Sequence, residues 1–146
     1  MLVVNRTRGT LLGVDIARAD SVAARMRGLY PYRRLDIGDG LWLVPCNAIQ
    51  TIGMKHVIDA IFLDRGSRVV RIYENFRPGC FTWWIWKAHS TLELPSGVVR
   101  SSETQIGDLL EFTEAPAPAF ARDGETAPRA SGGLEAVAGN LEGDED

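Results

Sequence analysis

The chain has 146 residues, of which 45% are hydrophobic, and this length suits one domain with a real hydrophobic core. Its net charge of −3 is unevenly spread: residues 114–146 carry 8 acidic and 2 basic residues, and residues 1–113 carry 14 basic and 11 acidic ones. A basic surplus so small, without a run of Lys or Arg, gives no electrostatic case for nucleic acid as a partner.

Targeting and membrane signals are weak. The first apolar run has three residues, Leu2 to Val4, whereas a signal peptide needs an apolar core of roughly 7–15. No window approaches the roughly 18 apolar residues of a membrane span. We therefore expect a cytoplasmic protein without a membrane partner, in which Cys46 and Cys80 are free thiols.

From the N-terminus onward, the pattern of residues 1–113 has mostly the two-residue period of β-strands. Short apolar runs between turn residues predict strands over 2–4, 11–16, 41–44, 60–63, 69–73, 91–94 and 109–112. Arg8-Gly9 lies near the bend of an opening pair, and Asp64-Arg65-Gly66-Ser67 is the best hairpin signal in the chain. Pro95 is expected to end the strand that precedes it.

One helix is predicted between the second and third of these runs. Asp20 or Ser21 can cap its N-terminus, and Gly28 is placed to end it. Val22, Met26 and Leu29 fall on one face, at positions i, i+4 and i+7. A second helical turn is expected within residues 98–103.

These elements predict a mainly β fold, a compact antiparallel sandwich or barrel with one or two short helices. The β domain is expected to span residues 1–113. Residues 114–146 are rich in Ala, Pro, Gly and acids, and cannot bury enough apolar area to offset the entropy of ordering. They predict a disordered acidic tail, which can be removed with little change in thermal stability.

The segment from Pro45 to Asp64 holds most of the residues that could do chemistry. A candidate pocket is predicted from Cys46, Thr51, Met54, His56 and Asp59. Thiolate, thioether and imidazole are soft ligands that suit Cu(I), and a thiol beside a histidine (His56 or His89) could act as a nucleophile. The eight-residue spacing from Cys46 to Met54 is not a local metal motif, so no metal or cofactor is predicted.

Asp59 interrupts an apolar stretch, where an unpartnered carboxylate is costly. It must find backbone donors, an arginine or water. Capping or fixing a turn is the favoured role, ahead of acid-base catalysis, because no second carboxylate is identifiable as its partner.

Residues 80–87, Cys-Phe-Thr-Trp-Trp-Ile-Trp-Lys, contain three of the four tryptophans. If this stretch is extended, both of its faces are apolar. Either it is covered on both sides, or some of its tryptophans line a groove or contact another protein, as aromatic residues with a polar tip often do.

Residues 24–112 resemble the bacterial and archaeal DUF192 family. The shared residues are Arg27-Gly28-Leu29, Gly40-Leu41, Pro45-Cys46, Thr51, Gly53-Met54, Ile58-Asp59, Phe62-Leu63-Asp64, Leu92-Glu93-Leu94-Pro95 with Gly97, and Gly107-Asp108. The resemblance implies a small, jelly-roll-like β-sandwich with one or two short helices, and no established activity. Many relatives carry a histidine where this chain has Gln50, which weakens the metal and thiol hypotheses.

Two functional hypotheses remain open. The first is a non-enzymatic accessory module that binds an unknown small ligand or protein, with Trp83, Trp84 or Trp86 lining a groove and Arg77 and Lys87 at its rim. The alternative is an enzyme or a redox or metal protein centred on Cys46, with Met54 and His56.

Overall fold

The fold is described from a computed structural model, which covers residues 1–28 and 35–114. Its elements in chain order are β1 (Leu2–Asn5), β2 (Thr10–Gly13), β3 (Asp15–Ala19), α1 (Val22–Arg27), β4 (Asp39–Leu43), β5 (Ile58–Leu63), β6 (Val69–Phe76), β7 (Ser90–Pro95), α2 (Val98–Ser101) and β8 (Leu110–Thr113). The prediction of a mainly β protein with two short helices is confirmed.

The strands form two sheets, one with the order β2-β1-β8 and the other with the order β3-β4-β7-β5-β6. All pairs are antiparallel except β3 and β4, which run parallel. The apolar run predicted as one strand over 11–16 is divided, because β2 belongs to the first sheet and β3 to the second. Neither sheet closes into a barrel.

The hydrophobic core has two parts, one on each face of the five-stranded sheet. The first contains side chains of both sheets, among them Val3, Leu12, Leu92 and Leu94, so the two sheets pack together as in a sandwich. The second lies on the other face of the larger sheet, where loops and α1 cover residues such as Phe62. Since both faces are covered, every residue of β5 and β7 is buried.

The predicted hairpin at residues 64–67 and the predicted ends of α1 are confirmed. The Asp64 carboxylate accepts hydrogen bonds from the backbone N–H groups of Gly66 and Arg68, which fixes the turn between β5 and β6. The Ser21 hydroxyl caps α1 by accepting from the N–H of Ala24, and the helix ends at Gly28. The predicted apolar face of α1 is exposed at Val22 and Met26, and Leu29 lies outside the described residues.

A buried carboxylate joins the two ends of the domain. Asp108 accepts hydrogen bonds from the side chains of Asn5 (2.9 Å) and Arg8 (3.1 Å) and from the N–H of Gln105 (2.9 Å). Burial alone would raise the pKa of Asp108, but these donors outweigh it and hold that pKa below its usual value. The carboxylate is therefore a structural anchor between β1 and the turn before β8.

The acidic tail predicted for residues 114–146 lies, beyond Glu114, outside the described residues, so its disorder stays a prediction. Within the described ranges, no helix is both long and apolar enough to cross a membrane.

Candidate functional site

The site is centred on Glu93 in the middle of β7. Side chains alternate along a strand, so Leu92 and Leu94 enter the core between the sheets while Glu93 points to the other face. Its neighbours in register are Leu41 on β4 and Ala60 on β5, both of them apolar and buried. Gly40 allows this close packing, because a Cβ there would lie 2.8 Å from the backbone oxygen of Glu93. The carboxyl group of Glu93 therefore has apolar side chains on both neighbouring strands.

Glu93 is 3% exposed, and its Oε2 atom has no hydrogen-bond partner among the described residues. None of the ion pairs in that part of the chain includes it. Burial raises the pKa of Glu93 from its ordinary value of 4.5 to about 7. Such a carboxyl group changes its charge near neutral pH, and its free oxygen is costly to bury.

A cavity of about 460 Å³ opens over Glu93. Its wall is formed by α1, by the loop after β4 and by one tryptophan. Among the described residues of the wall are Arg25, Arg27, Cys46, Ile49, Met54 and Trp84. Volumes of roughly 300–1,000 Å³ are typical of small-molecule sites. We call this space the Glu93 cavity.

Cys46 lines the Glu93 cavity as a protonated thiol. Its Sγ donates to the backbone oxygen of Ala48 at 3.2 Å, and burial raises the pKa of the thiol. Hydrogen bonding with the Thr91 side chain and the Ala48 backbone lowers that pKa, the charge of Glu93 raises it and Arg25 lowers it, and burial remains the largest effect. A reactive cysteine needs a lowered pKa, so this environment is the reverse of the one that activates a nucleophile.

Arg25 is held in place at the α1 side of the cavity. Its Nη1 donates to the backbone oxygens of Asp20 (2.7 Å) and Val44 (3.2 Å). In the described part of the chain it has no carboxylate partner. The cavity wall therefore carries a fixed positive charge on α1 and a titratable carboxyl group on β7.

Residues 77–89, which we call the tryptophan segment, are not a strand of either sheet. The segment is fastened to residues 47–51 by backbone hydrogen bonds, by an isolated bridge between Gln50 and Phe81, and by two buried threonines. The hydroxyl of Thr51 donates to the backbone oxygen of Arg77 (2.6 Å) and accepts from the N–H of Cys80 (3.0 Å). The hydroxyl of Thr82 accepts from the N–H of Ile49 (3.0 Å).

The tryptophans of this segment are exposed: 81% at Trp83, 68% at Trp84 and 85% at Trp86. They form edge-to-face pairs, Phe81 with Trp83 (centroids 5.8 Å apart) and Trp84 with Trp86 (6.1 Å). Burial in the core, one of the two sequence interpretations, is therefore wrong. Of the three indoles, Trp84 reaches the Glu93 cavity, while Trp86 lies over a separate shallow depression with Lys87 and His89.

The residues predicted from sequence are only partly brought together. Cys46, Met54 and Trp84 line the cavity. Thr51 is not one of its residues; it is buried, and its hydroxyl is hydrogen-bonded to the tryptophan segment. His56, Asp59, Arg77 and Lys87 are not among the cavity residues. Asp59 instead accepts from the backbone N–H groups of Asn75, Gly97 and Val99, which is the backbone-fixing role favoured by the sequence.

Glu93 is absent from the site residues predicted from the sequence, where its segment is expected only to form a strand that ends at Pro95. The available signal was an acidic residue within a run whose neighbours on both sides are apolar, Leu92 and Leu94. Among the described residues, no group of three or more His, Cys, Asp or Glu side chains is placed to hold a metal ion.

Comparison with known proteins assigns the chain to a family. Residues 3–112 match the family model of DUF192, described as uncharacterized ACR. The chain belongs to the DUF192 family. No curated protein matches it.

Two solved structures are similar to this DUF192 chain. One is a protein of unknown function from Novosphingobium aromaticivorans DSM 12444, with a TM-score of 0.67 and 21% identity over 76% of this chain and 83% of that one. The other is a "putative transcription regulator" from Sinorhizobium meliloti 1021, with a TM-score of 0.66 and 19% identity over 75% of this chain and 89% of that one. At these identities the likeness concerns the fold alone.

Proposed function

We propose that this DUF192 protein is a non-enzymatic binding module that takes a small organic molecule into the Glu93 cavity. The observation that carries the proposal is that Glu93, a residue of the cavity wall, is buried and that its Oε2 atom has no hydrogen-bond partner among the described residues. A buried acceptor without a donor costs free energy that folding does not recover, and a ligand with a donor group offsets that cost.

The remaining wall suits the apolar body of such a molecule. Trp84, Met54 and Ile49 give an aromatic, a polarizable and an aliphatic surface. Apolar walls with a few placed polar groups are typical of small-molecule sites. The aromatic surface expected from the sequence thus contributes one indole, and β7 contributes the polar anchor.

The geometry favours binding over the thiol chemistry of the alternative hypothesis. The Cys46 thiol donates to a backbone oxygen, and both burial and Glu93 keep it protonated. Its backbone N–H donates to the backbone oxygen of His89, and the hydrogen bonds described for the thiol include no imidazole. A nucleophilic cysteine needs a lowered pKa, and the positive charge of Arg25 lowers the pKa of Cys46 less than burial raises it.

The proposal is tested by screening small organic fragments against the ¹⁵N-labelled full chain by NMR. Binders are expected to shift the backbone amide signals of Cys46, Ala48 and Gln50, which lie along the cavity wall. Trp84→Ala should weaken binding about fivefold, because a buried aromatic contact contributes roughly 1 kcal/mol.

Trp83→Ala is the matched control, since Trp83 is also exposed but is not among the cavity residues. It should leave fragment affinity unchanged. A screen without binders at the cavity, or equal losses from the two tryptophan variants, would contradict the proposed function.

A further inference from the structure

The Glu93 cavity contains charges of both signs, and the two kinds lie on different elements. Arg25 and Arg27 are on α1, and Glu93 is on β7. Arg25, Glu93 and Cys46 line the same cavity, and the two charged residues act with opposite signs on the pKa of the thiol. A ligand that contacts Cys46 is therefore within reach of a cation and of a carboxylate.

Within residues 1–28 and 35–114, neither Arg25 nor Glu93 has an oppositely charged partner. No carboxylate of the described residues pairs with Arg25, and no donor there reaches Oε2 of Glu93. The two backbone oxygens that accept from Arg25 Nη1 fix its direction and leave other N–H groups of the guanidinium available. A ligand that satisfies both residues therefore needs a negatively charged acceptor for Arg25 and a donor for Glu93.

On the basis of the proposed binding function, we propose that the ligand is a zwitterion, a free α-amino acid with an apolar side chain. Its ammonium group binds the Glu93 carboxylate, its carboxylate binds the guanidinium of Arg25, and its side chain packs on Trp84 and Met54. Arg–carboxylate pairs of this kind can be bidentate and are among the stronger charge-assisted hydrogen bonds.

Ligands with a single charge satisfy the site less well. A simple anion would pair with Arg25 but leave Glu93 without a donor. The ionised form of Glu93 would also repel the anion. A simple amine would pair with Glu93 but meet the uncompensated charges of Arg25 and Arg27. An uncharged apolar molecule would leave both groups buried beneath it without partners, which is costly.

The zwitterion predicts a specific pH dependence. An ammonium group binds the ionised form of Glu93. The other charged or titratable residues that line the cavity are Cys46, Arg25 and Arg27, and burial is the cause of the raised pKa of Glu93. Its neighbours in register, Leu41 and Ala60, are uncharged. Because the pKa of Glu93 is about 7, affinity should fall as the pH drops below 7, by about tenfold per pH unit, and level off above it.

The test is an NMR titration of the ¹⁵N-labelled full chain with L-leucine and L-phenylalanine, compared with their N-acetyl and amide derivatives. The free amino acids should shift the amide signals of Cys46 and Ala48. N-acetylation removes the ammonium group and amidation removes the carboxylate, so each derivative should bind at least tenfold more weakly.

Glu93→Gln keeps the shape of the side chain and removes its charge. It should weaken the free amino acids at least tenfold at pH 8, abolish the pH dependence, and leave the affinity of the N-acetyl derivatives unchanged. Glu74→Gln, at an exposed position on β6, is the control and should change neither affinity nor its pH dependence.

The outcomes separate this inference from the proposed function. N-acetyl derivatives that bind as tightly as the free amino acids would overturn the zwitterion. If the amino acids cause no shift but other fragments bind in the cavity, the zwitterion is again overturned while the binding function stands. A cavity that binds no fragment and no amino acid refutes both.

Discussion

Asp59 and Glu93 are buried carboxylates on neighbouring strands, and they are treated in opposite ways. Asp59 on β5 is 1% exposed and Glu93 on β7 is 3% exposed. Asp59 lies opposite Leu94, one residue from the pair formed by Ala60 and Glu93. Asp59 receives three backbone hydrogen bonds at 2.9–3.0 Å, whereas Oε2 of Glu93 receives none from the described residues.

The difference is between a carboxylate that is used within the fold and one that has no partner among the described residues. The hydrogen bonds of Asp59 join β5 to β6 and to the start of α2, so its charge is used entirely within the fold. Glu93 contributes nothing of this kind, and its burial makes the ionised form less stable. Burial is common to both carboxylates, so the absence of partners is what singles out Glu93 as the candidate site residue.

The largest effect is expected from removing the structural carboxylate. Asp59→Ala leaves three backbone N–H groups without acceptors, and it should lower the free energy of unfolding by roughly 3–5 kcal/mol. Urea unfolding at pH 7 measures this loss. Asp15→Ala, at an exposed position on β3, should stay within about 0.5 kcal/mol of the wild type. A loss below about 1 kcal/mol for Asp59→Ala would show that its hydrogen bonds are replaceable.

The second-largest effect is expected at Glu93, whose ionised form should lower the free energy of unfolding instead of raising it. Its pKa is raised from 4.5 to about 7 on folding, so the folded protein retains a proton that the unfolded chain releases earlier. The contribution of this group to stability is therefore fully present below pH 4.5 and is lost as the pH rises through 7. Between pH 5 and pH 8 the loss should amount to roughly 2–3 kcal/mol.

Glu93→Gln carries no titrating group at this position, so its stability should lack that decline and exceed that of the wild type at pH 8. Urea unfolding of both proteins at several pH values provides the comparison. Parallel pH profiles for the two proteins would mean that Glu93 is hydrated or paired in the folded state.

The smallest effect concerns the thiol beside Glu93. Burial raises the pKa of Cys46, so its reaction with a thiol reagent at pH 8 should be at least tenfold slower than that of free cysteine. Because Glu93 raises that pKa further, Glu93→Gln should increase the rate by a few-fold. The rates are measured in a Cys80→Ser background. A Cys46 that reacts as fast as free cysteine would restore the hypothesis of a catalytic thiol.

Most of the architecture could be predicted from local signals. Alternating apolar residues and the Asp64–Ser67 turn located the strands, and Ser21 and Gly28 located the ends of α1, because these signals act between residues close in sequence. The split of the run over 11–16 between two sheets was not predictable, since strand pairing depends on contacts between distant residues.

The site was predictable only in part, for the same reason. Cys46, Met54 and Trp84 were singled out by residue type, but their meeting at one cavity depends on how two loops cover the sheet. Glu93 was missed because its alternation with Leu92 and Leu94 looks like that of an ordinary half-exposed strand. Only the packing of the three-stranded sheet on one face of β7, and of loops and α1 on the other, reveals that both faces of that strand are covered.

The attachment of the tryptophan segment to the domain does not depend on its tryptophans. The bonds that fasten residues 77–89 to the domain use backbone atoms and the hydroxyls of Thr51 and Thr82, and none of them uses an indole. Substitution of Trp83, Trp84 or Trp86 therefore leaves the attachment intact. The segment thus covers this side of the domain with indoles that can change without repacking of the core below them.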